Sequence, residues 1–120
     1  MPILDVELVR GPAEPQRGAA FGRALADAAA LVLGAERGRV WVRLRELDAI
    51  DYAENGVDDP PQPAFVRVLR RELPGPAELK VEAAALAAAL APLLGRPVDL
   101  VHVIYEPPGA GRVAFGGHLI

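Results

Sequence analysis

Apolar positions fall in two rhythms along this chain, a two-residue alternation and a three-to-four-residue recurrence, and the two follow one another in the same order twice. Residues 3–9 alternate in part and are rich in aliphatics, which predicts a strand. A turn follows over residues 11–15, with Pro15 placed to open a helix at its first position. Phe21, Leu25, Ala28 and Val32 then recur at helical spacing and form one apolar face, which Gly34 closes as a C-cap. From residue 39 to residue 47 the alternation is strict, with Val40, Val42 and Leu44 on one face, and predicts a second strand. An irregular loop over 48–56 leads into a proline-rich linker over 58–63.

The order then repeats. Residues 64–71 read as a strand and 73–76 as a turn, with Pro76 at a helix start. A helix is predicted over 78–94, with Leu79, Leu86, Leu90 and Leu93 on one face and Gly95 as cap. Pro92 should kink it or end it early. Residues 98–105 form the fourth predicted strand, and a glycine-rich tail follows. An ungapped offset of 61 overlays the halves. Pro2 falls on Pro63, Leu8 on Leu69, Arg10 on Arg71, Pro15 on Pro76, Leu25 on Leu86, Gly34 on Gly95 and Gly56 on Gly117. A register that keeps helix starts, caps and strand faces together marks a duplicated βαβ unit. The expectation is one domain over 1–120, made of repeats 1–57 and 62–118.

Each βαβ unit implies a right-handed crossover and a parallel strand pair. Two units give an α+β fold, a tandem βαβ repeat with a four-stranded mixed sheet and both helices on one face. The other face would carry Asp5 and Glu7 from the first strand, and Trp41, Arg43 and Arg45 from the second. Cross-strand pairing of Arg43 and Arg45 with Asp5 and Glu7 is the preferred reading over a substrate role. A polar and aromatic face of this kind suits subunit contact.

Composition narrows the chemistry. With 120 residues, 52% hydrophobic and 24% charged, the chain is long enough for one real core. No apolar run approaches a membrane span and no export signal is present, so a cytoplasmic protein without a membrane partner is expected. The net charge of -3 is scattered, which argues against nucleic acid as a partner. There is no Cys, Ser or Thr, so thiolate and hydroxyl nucleophiles are excluded. His102 and His118 lack metal-ligand spacing, and neither a metal nor a cofactor is expected. A base must come from the N-terminal amine, Lys80, a histidine, a tyrosine or a carboxylate.

Pro2 is the distinctive member of that set. Removal of Met1 before a small residue would leave a secondary amine, whose reference pKa as an α-amino group is about 8 against about 10.4 for lysine. Burial or nearby cations would lower it and make a base that is neutral near pH 7. Arg70 and Arg71 end the third predicted strand, where a planar guanidinium suits a carboxylate or, equally, a solvated ion pair. Alternation puts them on opposite faces, so one of them can point into a site; Arg71 is chosen for its match to Arg10. Trp41 and Tyr52 could wall an apolar pocket, Tyr52 could donate to a developing enolate, and Trp41 could equally anchor an interface. His102 suits a core or interface histidine better than a catalytic one. Lys80 reads as solvated, and His118 and Arg112 are assigned no chemistry.

A proline at position 2, a unit of about sixty residues written twice and the run from Val101 through Glu106 to Phe115-Gly116-Gly117 together resemble the tautomerase superfamily. That family includes 4-oxalocrotonate tautomerase, macrophage migration inhibitory factor and malonate semialdehyde decarboxylases. The resemblance covers nearly the whole chain and is to its fused, two-unit members. It implies a trimer with one site per chain and an N-terminal proline amine as catalytic base or acid, here Pro2. The arginine that short members carry after the first strand's glycine is replaced by Pro12 and Leu73, and their second-strand arginine by Trp41 and His102. Their aromatic eleven residues further on is met by Tyr52 in the first half and by Val113 in the second. The leading expectation is a cofactor-independent tautomerase acting on a small enolisable 2-oxo or 2-hydroxy acid, with Pro2 moving the proton and Arg71 holding the carboxylate. The alternatives are a decarboxylase, dehalogenase or hydratase with a protonated proline, and a catalytically silent trimeric interaction protein.

Overall fold

The computed structural model describes residues 2–120. Four strands, β1 (Ile3–Arg10), β2 (Trp41–Asp48), β3 (Ala64–Leu69) and β4 (Val101–Tyr105), form one sheet in the order β2-β1-β3-β4. Helix α1 (Phe21–Leu33) connects β1 to β2, and α2 (Pro76–Leu94) connects β3 to β4. Each crossover yields a parallel pair, β1 with β2 and β3 with β4, while the central pair β1/β3 is antiparallel. The fold is therefore α+β with a mixed sheet, as the pattern predicts.

Alternation explains which face is buried. In β1, Leu4, Val6 and Leu8 are fully buried, and Val66 and Val68 of β3 lie beside them across the antiparallel register. Leu25 and Ala29 of α1 and Leu86, Leu90 and Leu94 of α2 cover that face and complete one continuous core. The other face, with Asp5, Arg43, Arg45, Arg67 and His102, has no covering layer among the described residues.

The helix boundaries differ instructively. Pro76 opens α2 as predicted and Glu78 sits in its first turn, complementing the helix dipole. Pro15 does not open α1, which starts six residues later at Phe21 with no side-chain cap at Ala20. The intervening segment is held as a loop by its own charges. Glu14 binds Arg17 and Arg96, and Arg17 donates to the Leu94 carbonyl at 2.9 Å. Gly34 and Gly95 both end their helices in the left-handed conformation, at φ of 62° and 66°. Pro92 lies in the last turn without ending α2, which runs on to Leu94.

β3 stops at Leu69, short of the predicted Arg71, and β4 starts at Val101 after a 3-10 turn at Val98–Leu100. The ladder nonetheless continues past both ends, because Gly109 N–H donates to the Arg70 carbonyl at 2.8 Å and Ala110 N–H to that of Arg71 at 3.1 Å. The tail then folds into a small hairpin, β5 (Ala114–Phe115) with β6 (His118–Leu119). Gly116 and Gly117 form its two-residue turn with φ of 57° and 88°, which only glycine adopts without strain.

Candidate active site

Pro2 is buried at the start of β1, and its carbonyl accepts from the Trp41 N–H at 3.1 Å. Removal of Met1 lies outside the described residues. The ladder shows what surrounds Pro2. Ile3 pairs with Leu69 in the antiparallel direction, so one step further Pro2 lies opposite Arg70. Pro2 shares its face with Leu4, and Arg70 shares the same face with Val68, so both sit on the helix-covered side.

A polar cluster closes this corner. The Arg70 guanidinium is ion-paired with Glu82 of α2, and the Tyr105 hydroxyl at the end of β4 donates to the other Glu82 oxygen at 2.7 Å. Only 23% of the Arg70 side chain and 13% of the Glu82 side chain remain exposed. Burial first, and then the Glu82 carboxylate, push the Tyr105 phenol well above its ordinary value. Tyr105 is therefore a neutral hydroxyl throughout the physiological range. Neither Glu82 nor Tyr105 is marked by sequence spacing; the contact joins a helix to two strands. Arg71, chosen over Arg70 from its match to Arg10, projects exposed beyond the end of β3, and Arg70 is the one that shares Pro2's face.

Trp41 lies at the same end of the sheet but on the other face, 44% exposed, with its ring packed edge-on against Phe115 at 5.3 Å. Its Nε1 donates to the Gly38 carbonyl at 3.1 Å. Tyr52 and His102 are elsewhere. Both flank Phe65, at ring distances of 6.2 and 5.4 Å, and Phe65 pairs with Glu7 at the far end of β1. Five residues of strand separate that level from Pro2, or about 17 Å. Tyr52 donates to Glu54 at 2.6 Å, and this bond raises its pKa. Within one chain, then, Pro2 and Arg70 come together and Tyr52 and His102 do not join them.

The open face has its own charged depression of about 350 Å³, lined by Asp5, Glu7, Arg43, Arg45, Phe65 and Arg67. Asp5 and Arg43 form a two-pronged pair whose outer bond is 2.7 Å, as cross-strand reasoning expects. Hydrogen bonding to Arg43 holds the Asp5 carboxyl below its ordinary range. Arg45 makes no ion pair with Glu7 among the described residues. No group of three or more His, Cys, Asp or Glu residues among those described is arranged to hold a metal ion. No helix among them is long and apolar enough to cross a membrane.

At the opposite end of the sheet Pro63 is fully buried, and its carbonyl accepts from the Val9 N–H at 3.0 Å. Here the surroundings are filled rather than poised. Arg96, its side chain only 9% exposed, donates to the Val9 carbonyl at 2.7 Å, to Glu14 at 2.8 Å and to the Gln62 carbonyl.

No protein-family model and no curated protein sequence matches this chain. Solved structures do. A fused 4-OT described as a symmetric trimer is 27% identical, with 98% of this chain and 94% of that one covered at a TM-score of 0.75. The macrophage migration inhibitory factor of Trichinella spiralis is 15% identical over 98% and 99% of the two chains, at a TM-score of 0.73. A malonate semialdehyde decarboxylase superposes over 95% of this chain and 88% of its own, at 20% identity and a TM-score of 0.68. The superpositions take in 95–98% of this chain, and the chain carries the tautomerase-superfamily fold in its fused, two-unit form.

Proposed function

We propose that this chain, once Met1 is removed, is a cofactor-independent tautomerase for a small enolisable 2-oxo acid, with the Pro2 amine as proton carrier. The carrying observation is the burial of Pro2 at a sheet corner that also holds the Arg70 guanidinium. Burial and a nearby cation both disfavour a protonated amine. In the reaction, the neutral amine takes the enol hydroxyl proton and leaves an enolate. The carbon–carbon double-bond electrons then take that proton back from the pyrrolidinium at the neighbouring carbon while the oxygen lone pair closes the carbonyl. No net charge or electron is gained, so no cofactor is called for. Arg70 has five N–H donors and commits one nitrogen to Glu82, which leaves donors to hold a substrate carboxylate. Arg70 takes the role first given to Arg71, because Arg70 continues the face that Pro2 shares and Arg71 points the other way.

The working unit in this reading is a cytoplasmic homotrimer, with the two repeats spanning 1–57 and 62–118. Its support is the trimeric fused 4-OT of the same fold and the uncovered sheet face with Trp41 exposed upon it. Tyr52, Trp41 and His102 would meet Pro2 only across a subunit boundary.

The test is ketonisation of phenylpyruvate enol and of 2-hydroxymuconate by protein of verified N-terminal mass, beside Pro2→Ala. Loss of turnover in the variant supports the proposal, and equal rates overturn it. A second reading keeps the fold and uses a protonated proline, as in a decarboxylase or hydratase. The Glu82 carboxylate in the same corner favours it, since an anion stabilises the cationic amine. A pH–rate profile separates the two: activity that rises as the amine deprotonates marks the base, and activity that falls marks the acid.

A further inference from the structure

We infer that Glu82 sets the charge preference of the Pro2 corner, holding the Arg70 guanidinium neutralised so that the site discriminates only weakly between anionic and uncharged ligands. This rests on the reading of Pro2 and Arg70 as one site. Glu82 projects from α2 onto the sheet and accepts from Arg70 with one oxygen and from Tyr105 with the other. Both carboxylate oxygens are thereby committed, and the side chain is largely removed from water.

The fold does not require a carboxylate there. At the 61-residue offset the same helical position in α1 is Phe21, which packs against the core as an apolar residue. An apolar side chain would fill the α2 position without the desolvation cost of a buried ion. What Glu82 adds is a formal negative charge within contact of the arginine that lies across from Pro2 on the same face. A substrate carboxylate arriving at Arg70 meets that charge at close range and in partly excluded solvent, where repulsion is strong. An uncharged ligand of the same shape does not meet it. Glu82 is thus a specificity-determining residue acting through Arg70, not a catalytic one.

The decisive comparison is Glu82→Gln, which keeps the shape and an acceptor oxygen for Arg70, presents an NH2 that the Tyr105 hydroxyl can accept from, and removes the charge. Binding is measured by calorimetry with two unreactive probes, 3-phenylpropanoate and 3-phenylpropanamide, on the full chain. The variant is expected to bind the carboxylate about tenfold tighter and the amide within twofold of the parent. Asp27→Asn, which removes the same charge from an exposed pair with Arg23 on α1, should shift neither. An equal gain for both probes, no gain for the carboxylate, or a carboxylate that binds neither protein would overturn the proposal. Because these readouts need no turnover, an inactive enzyme with the predicted affinity shift would sink the tautomerase reading and leave the role of Glu82 standing.

Discussion

The two ends of the sheet are built on the same plan and differ in how their polar groups are spent. Each has a buried proline just before a strand, with its carbonyl accepting a backbone N–H from the neighbouring strand. At the Pro63 end, Arg96 reaches across the corner and spends its donors on the Val9 and Gln62 carbonyls and on Glu14, so the space is knitted shut. At the Pro2 end the arginine carries a single ion pair, and the groups around it are a carboxylate and a neutral phenol. A corner whose arginine is committed to neighbouring carbonyls and a carboxylate stabilises the fold. One that keeps donors in reserve can receive something else.

The contrast breaks first on the prolines themselves. Pro2→Ala should lower turnover by about 10²- to 10⁴-fold, the range of a general acid–base group, with folding unaffected. Pro63→Ala should leave kcat within twofold and instead cost roughly 1–2 kcal/mol in urea unfolding through its lost buried ring. Equal kinetic losses would erase the distinction between the ends.

Next in size is the network that closes the second corner. Arg96→Ala leaves Glu14 with Arg17 alone and takes a donor from the Val9 and Gln62 carbonyls, and should cost about 2 kcal/mol of stability, read as a shift of the denaturant midpoint. Turnover at the intact Pro2 corner should persist wherever the variant is folded. Acid probes the same network more gently. Burial pushes the Glu14 carboxyl up, but hydrogen bonds and charge from Arg96 and Arg17 outweigh it, and the net shift is below the ordinary value of 4.5. The unfolded chain therefore binds more protons in the window beneath that value. Stability is full above it and declines as pH falls through the depressed folded-state pKa. Urea midpoints measured between about pH 5 and about pH 3 should fall, and Glu14→Gln should flatten that fall. The smallest effect is at Gly11, where an added Cβ would lie 2.7 Å from the Gln62 amide nitrogen. Since a side-chain end can yield, Gly11→Ala should cost only about 1 kcal/mol and should not touch activity.

Much of this arrangement could be read along the chain, and the exceptions share a cause. Alternation located all four strands and the faces of the first two, since Val40, Val42 and Leu44 turn toward the core as their spacing requires. The 61-residue offset does not carry the faces into β3, where it sets buried Leu4 and Val6 on Phe65 and Arg67 of the open face. Pro76 and the glycines at 34 and 95 marked helix ends because their backbone preferences are local. Pro15 failed as a helix start because Glu14 and Arg17 beside it are drawn to Arg96 and Leu94, about eighty residues away in sequence. Parity alone showed that Arg70 and Arg71 face opposite ways. Choosing between them needed the antiparallel register that sets Arg70 across from Pro2. The meeting of Glu82 with Tyr105 was invisible for the same reason, because nothing near either in sequence announces that a helix carboxylate will meet a strand tyrosine.

The antiparallel seam between β1 and β3 has a consequence for assembly. The candidate site straddles it: Pro2 comes from the first half, and Arg70, Glu82 and Tyr105 all come from the second. Neither half holds the whole constellation. As separate polypeptides, two such halves would sort among like and unlike pairs, and only the unlike pair would bring the proline to its arginine. Joining them through residues 58–63 fixes a one-to-one stoichiometry, so that every copy of the chain is already the correct heterodimer with itself.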